Sequence, residues 1–166
     1  MIQKKRFFIA GLVLLIIVAL VLAVDAFQRQ QLVVPQGTST PLPAGSIPIY
    51  LDGQLVGGFV PADLEKLNKV SFVDAADQKP QDGWLLSDVI LLYVNPEKLS
   101  GQARVIVSSA SRDKSIELTW TEIQEPLNMV MFDLSNRGTL KLVSLLPRLD
   151  TRDEWVQDVD RIEIIQ

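Results

Sequence analysis

Ser111-Arg112-Asp113-Lys114 is the first stretch whose spacing can do chemistry. It spells the S-x-x-K pattern in which a lysine activates a serine nucleophile, a mechanism that needs both side chains on one helical turn. Here the segment falls between two alternating stretches, so a solvated hairpin tip is expected instead. Asp150, Asp153, Glu154, Asp158 and Asp160 form an acidic run that offers oxygen ligands to a hard cation such as Ca²⁺. It lacks the glycine and terminal glutamate of a calcium loop, and Arg148, Arg152 and Arg161 are interleaved with it, so local ion pairs are expected. Arg137 is displayed in the turn Asn136-Arg137-Gly138, where it can clamp an anion if a second donor is near. Together with Lys141 and Arg152 it makes up the set of surface candidates for binding. Trp84, Trp120 and Trp155 each stand beside apolar neighbours and are expected in the core rather than in a ligand pocket.

What is missing constrains the chemistry more. The sequence has no cysteine and no histidine. Thiolate nucleophiles, disulfides, iron–sulfur ligation and any imidazole base are excluded, and a metal would have only oxygen donors. No catalytic residue and no metal ligand is assigned, and the reading leans away from an enzyme. The 166 residues carry a formal net charge of −4, but the first six residues are basic and the rest holds 13 Lys and Arg against 20 Asp and Glu. Such an acidic body is not expected to bind nucleic acid.

The elements that must position these groups begin after two N-terminal segments. Residues 7–24 are an uncharged apolar run, preceded by Lys4, Lys5 and Arg6. At roughly 1.5 Å per helical residue such a run spans a hydrocarbon core. The expectation is a cytoplasmic N-terminus at residues 1–6, a transmembrane anchor over 7–27 and an extracytoplasmic remainder at the cell membrane. Cleavage as a signal peptide near Val24 and Ala26 is the alternative. Residues 28–46, with Pro35, Pro41 and Pro43, read as a flexible linker.

From residue 47 the pattern predicts an α+β domain. Ile47–Leu51 and residues 54–60 flank Asp52-Gly53, a dipeptide suited to a two-residue hairpin turn, with a bulge near Gly57-Gly58. A short helix follows from Pro61, then a brief strand over Val70–Val73, then a polar turn-rich stretch over 74–82. Residues 84–94 are expected to be a mostly buried helix, with a buried strand over residues 89–92 as the alternative. Arg104–Ser109 with residues 115–120, and residues 127–134 with 139–145, form two further hairpins, and residues 159–165 a final strand. Residues 139–143 and 159–165 are expected to be paired or neighbouring central strands, with Trp155 closing the core between them and Lys141 on a solvated face.

Some of these residues resemble a known pattern. Asp63-Leu64-Glu65-Lys66-Leu67, then Asp82-Gly83-Trp84-Leu85-Leu86-Ser87-Asp88-Val89-Ile90, then Arg137-Gly138-Thr139-Leu140-Lys141-Leu142-Val143, then Trp155-Val156 and Asp160-Arg161-Ile162-Glu163 are similar in order to the sulfite-oxidase-like, molybdopterin-binding oxidoreductases. The resemblance covers residues 47–165 and implies that family's fold, with molybdopterin as the cofactor of its active members. Those members ligate molybdenum through a cysteine, which this chain lacks, so no cofactor is expected here. The functional expectation is a membrane-anchored, non-catalytic binding or accessory module. The alternatives are a molybdopterin-binding oxidoreductase without the cysteine ligand, and an accessory subunit of a larger membrane complex with a protein partner.

Overall fold

A computed structural model describes residues 41–74 and 78–166. The expected cytoplasmic segment, the anchor and most of the linker lie outside the described residues. Among the described residues no helix is long and apolar enough to cross a membrane. The last residues of the expected linker make a turn in which Ser46 N–H donates to the Pro43 carbonyl at 3.1 Å.

The architecture is α+β, with two five-stranded, mostly antiparallel sheets and few short helices. The first sheet contains β1 (Ile47–Leu51), β2 (Gln54–Phe59), β5 (Arg104–Ser109), β6 (Lys114–Thr119) and β10 (Arg161–Ile165), in the order β2-β1-β10-β5-β6. Its only parallel pair joins β1 to β10. The second contains β3 (Val70–Val73), β4 (Pro80–Leu85), β7 (Met131–Leu134), β8 (Leu140–Val143) and β9 (Val156–Gln157), in the order β3-β4-β7-β8-β9. Two short α-helices, α1 (Leu86–Leu91) and α2 (Trp120–Gln124), complete the core. A capping box opens α2: Thr119 Oγ1 accepts from Glu122 N–H at 3.2 Å, and Glu122 accepts from Thr119 N–H at 2.8 Å.

Alternation decides what each sheet buries. Ile162 and Ile164 of β10, Val105 and Val107 of β5 and Ile49 of β1 face Trp84, Phe132, Leu140 and Leu142 of the second sheet in one continuous core. The first hairpin turns at Asp52 and Gly53, with φ of 49° and 77°, as its sequence predicts. The extra residue in β2 is Val56, because the register steps from Ile49 opposite Gly57 to Tyr50 opposite Leu55.

Four expectations are corrected. Residues 84–94 are not one helix: Trp84 belongs to β4, opposite Phe132, and α1 starts at Leu86. The strand prevails because Gly83 lets the neighbouring backbone approach; a Cβ there would sit 1.8 Å from the Phe132 carbonyl oxygen. The polar stretch 74–82 therefore contributes its last residues, from Pro80, to a strand. In the third hairpin the arms shorten to β7 and β8, Leu127 lying in a 3₁₀ turn over Pro126–Asn128. Trp120 opens a helix rather than ending a strand.

The largest correction concerns β8 and β10, which lie in different sheets. Their buried side chains share the core between the sheets, and just before β10 Val159 N–H donates to the Leu140 carbonyl at 2.9 Å. Trp155 does not close the core between them. It packs with Met131 and Val143 on the opposite face of the second sheet, in a separate small cluster that also takes Val70, Phe72 and Leu85. Lys141 shares that face, where its side chain is only 22% exposed rather than solvated.

Candidate functional site

The outer face of the second sheet ends in an open, mostly polar cleft of about 710 Å³. Its floor follows from strand register. Asp133 of β7 stands opposite Lys141 of β8, so both side chains leave the same face. Lys141 Nζ lies 2.9 Å from Asp133 Oδ2, donates to Gln81 Oε1 at 2.7 Å and stands 5.1 Å over the Trp155 ring. The indole is fixed by its own donor bond from Nε1 to the Leu149 carbonyl at 3.0 Å.

The rim is built from turns. Arg112 comes from the turn between β5 and β6, Arg137 from the turn between β7 and β8, and Arg152 from the loop before β9, and all three line the cleft. The three surface candidates read from the sequence, Arg137, Lys141 and Arg152, are thus brought to one place. The isolated Arg137 expected from sequence is corrected: its Nη2 donates to both oxygens of Asp158, at 2.9 and 3.0 Å. Arg112 Nε donates to the same carboxylate at 2.6 Å, and Thr139 Oγ1 donates to it at 2.7 Å. Asp158 sits in the crossover from β9 to β10 with a φ of 55°, a left-handed conformation that aspartate tolerates better than most residues.

The Asp158 carboxyl is held below the usual carboxylate range, first by the Thr139 hydroxyl and then by Arg112 and Arg137, against the opposing effect of its burial. One carboxylate therefore serves two guanidiniums. Elsewhere the pairing is one to one: Arg104 with Glu117, Arg148 with Glu122, Arg161 with Glu163. The expectation that Arg148, Arg152 and Arg161 neutralise the acidic run locally is corrected for Arg148 and Arg161, whose partners Glu122 and Glu163 lie outside the run. Arg152 is exposed and makes no hydrogen bond or ion pair among the described residues.

The cleft is lined by five cationic side chains, Lys79 and Lys141 with the three arginines, against three carboxylates. It can hold an anion by charge and by directed N–H donors. No family model matches the chain, and neither does any curated protein sequence.

The other sequence candidates do not join this site as chemistry. Ser111 Oγ is 3.3 Å from Ser109 Oγ, and the Lys114 ammonium is bound to the Asp153 carbonyl, so the two do not form a serine–lysine pair. Asp160 caps the backbone N–H of Ala110 at 2.7 Å, and Glu154 accepts from Thr151 N–H at 3.3 Å. Among the described residues no cluster of three carboxylates converges as a metal site. Trp84 and Trp120 are buried in the main core as expected. Sequence reasoning missed Gln81 and Asp133, and it placed Asp158 in the acidic run without finding its role as the partner of two arginines. Asp133 was within reach, since counting outward from the turn at 135–138 pairs it with Lys141. Asp158 was not, being 46 residues from Arg112 in the chain.

Proposed function

We propose that this chain is a membrane-tethered, non-catalytic binding or accessory module built on a sulfite-oxidase-like fold, displayed outside the cytoplasm and serving a partner in a membrane complex. The observation that carries this reading is the cleft at Arg112, Arg137 and Arg152, in a chain with neither cysteine nor histidine. Such a cleft recognises negative charge through fixed N–H donors, yet nothing in it activates a nucleophile or shuttles a proton near neutral pH. The fold assignment rests on the order of the matching segments in the sequence.

Molybdopterin, the cofactor that the resemblance implies, fits the donor set poorly. Its phosphate has cations available in the cleft, but the metal has no thiolate anywhere in the sequence. A molybdopterin-binding oxidoreductase that replaces the cysteine by an oxygen ligand is the second reading, favoured only by that cationic lining.

The accessory role is tested by extracting the full chain from its native membrane in mild non-ionic detergent and sizing the product. A complex containing a second, identified polypeptide in fixed ratio is expected. A lone monomer after the gentlest extraction contradicts it.

A further inference from the structure

We propose that the three loops carrying Arg112, Arg137 and Arg152 form a docking surface for an acidic segment of a partner protein. The inference rests on the binding-module reading above and names the partner chemistry.

The argument begins with donors left over. Arg112 meets Asp158 through Nε and Arg137 through Nη2, so the Nη groups of Arg112 and the Nε and Nη1 of Arg137 are not used in those bonds. Arg152 contributes its whole guanidinium. Asp158 cancels one of the three charges, which leaves two on the rim of a domain that is otherwise acidic. An acidic protein is repelled by most of this body and attracted here, which both steers and orients it.

The shape of the site selects among anions. Small-molecule sites are enclosed and mostly apolar. This one is open, polar and rimmed by arginines on three separate loops, a geometry that suits an extended chain presenting successive carboxylates. Nucleic acid is disfavoured on two grounds. A long polyanion meets the acidic remainder of the body, and the aromatic group in the cleft, Trp155, is only 4% exposed and so offers no open face for a base to stack on.

The test uses the full chain in non-ionic detergent and a fluorescein-labelled ten-residue peptide of alternating Glu and Ser, read by anisotropy at low salt. Saturable binding is expected, weakened about tenfold or more in Arg152→Glu. That variant removes no bond of the described fold. Asp158→Asn is expected to tighten binding, because it removes the internal competitor for two arginines. Equal affinity of Arg152→Glu and the parent overturns the proposal. So does displacement of the peptide by inorganic phosphate at an ionic strength where chloride leaves it bound, which makes the cleft a small-oxyanion site. Equal binding of a charge-matched single-stranded oligonucleotide overturns it as well. If the peptide is ignored while a stoichiometric protein partner still co-purifies, this surface is refuted and the accessory reading stands.

Discussion

Lys141 and Asp133 face each other across the β7–β8 hairpin, 2.9 Å apart, with only 22% and 14% of their side chains exposed. The pair is therefore largely withdrawn from water, and each charge depends on the other more than a surface pair would. Gln81 and the Trp155 ring complete the surroundings of the ammonium, so the same contact that shapes the floor of the cleft also ties β4, β7 and β8 together.

Lys141→Asp places a second carboxylate beside Asp133 and is expected to cost about 2 to 3 kcal/mol. Leu142→Asp, fully buried in the main core on the other face, is expected to cost about 4 kcal/mol or more. Urea midpoints of the two variants against the parent measure both. A loss well under 1 kcal/mol for Lys141→Asp means that this face is solvated after all.

Gly83→Ala drives a Cβ to within 1.8 Å of the Phe132 carbonyl oxygen and is expected to abolish the β4–β7 pairing or to cost more than about 3 kcal/mol. Gly53→Ala, with open space around it but a φ of 77°, is expected to cost only about 1 kcal/mol. Thermal unfolding of the two variants separates a steric from a conformational penalty, and comparable losses contradict the assignment.

Local pattern was enough to read the hairpins, since Asp52-Gly53 and the turn at 135–138 announce themselves and the flanking residues alternate. Residues 84–94 misled because an apolar run of this length suits a buried helix as well as a buried strand followed by a short helix. Only the backbone approach at Gly83, a tertiary fact, decides between them. The two-sheet arrangement was illegible for a related reason: β8 and β10 alternate equally well, and alternation gives a strand its faces without giving it a sheet. The candidate site was half legible. Arg137, Lys141 and Arg152 were singled out as surface candidates, but Arg112 joins Arg137 only through Asp158 in the crossover from β9 to β10, which no local spacing encodes.

The capping box at the start of α2 gives a smaller, cleaner test. Thr119→Ala removes the acceptor for Glu122 N–H and is expected to cost about 1 kcal/mol in the urea midpoint, with Thr119→Ser recovering most of it. No loss in the alanine variant would show that the helix start is held by packing of Trp120 alone.

Asp158 sets a pH dependence with a definite sign. Its folded pKa is lowered, so its contribution is full above the unfolded value of about 3.9 and is lost as pH falls through the folded value. Glu122 acts in the same direction: burial opposes its ionisation, but the Thr119 N–H and Arg148 outweigh that and lower its pKa. The parent is thus expected to lose stability between about pH 5 and pH 2, and Asp158→Asn to be weaker at pH 7 but to lose less across that window. Urea midpoints at pH 7, 5 and 3 decide it, and parallel curves for the two proteins contradict the role given to Asp158.

The proposed binding role requires a cleft that does not carry the redox cofactor of the family that the sequence resembles. Quantifying molybdenum by mass spectrometry and released pterin by fluorescence, both per mole of full chain purified from its native membrane, tests it most directly. Far less than one equivalent of either is expected. One molybdenum and one pterin per chain would contradict it and make the cleft an active site that holds its metal without sulfur from the protein.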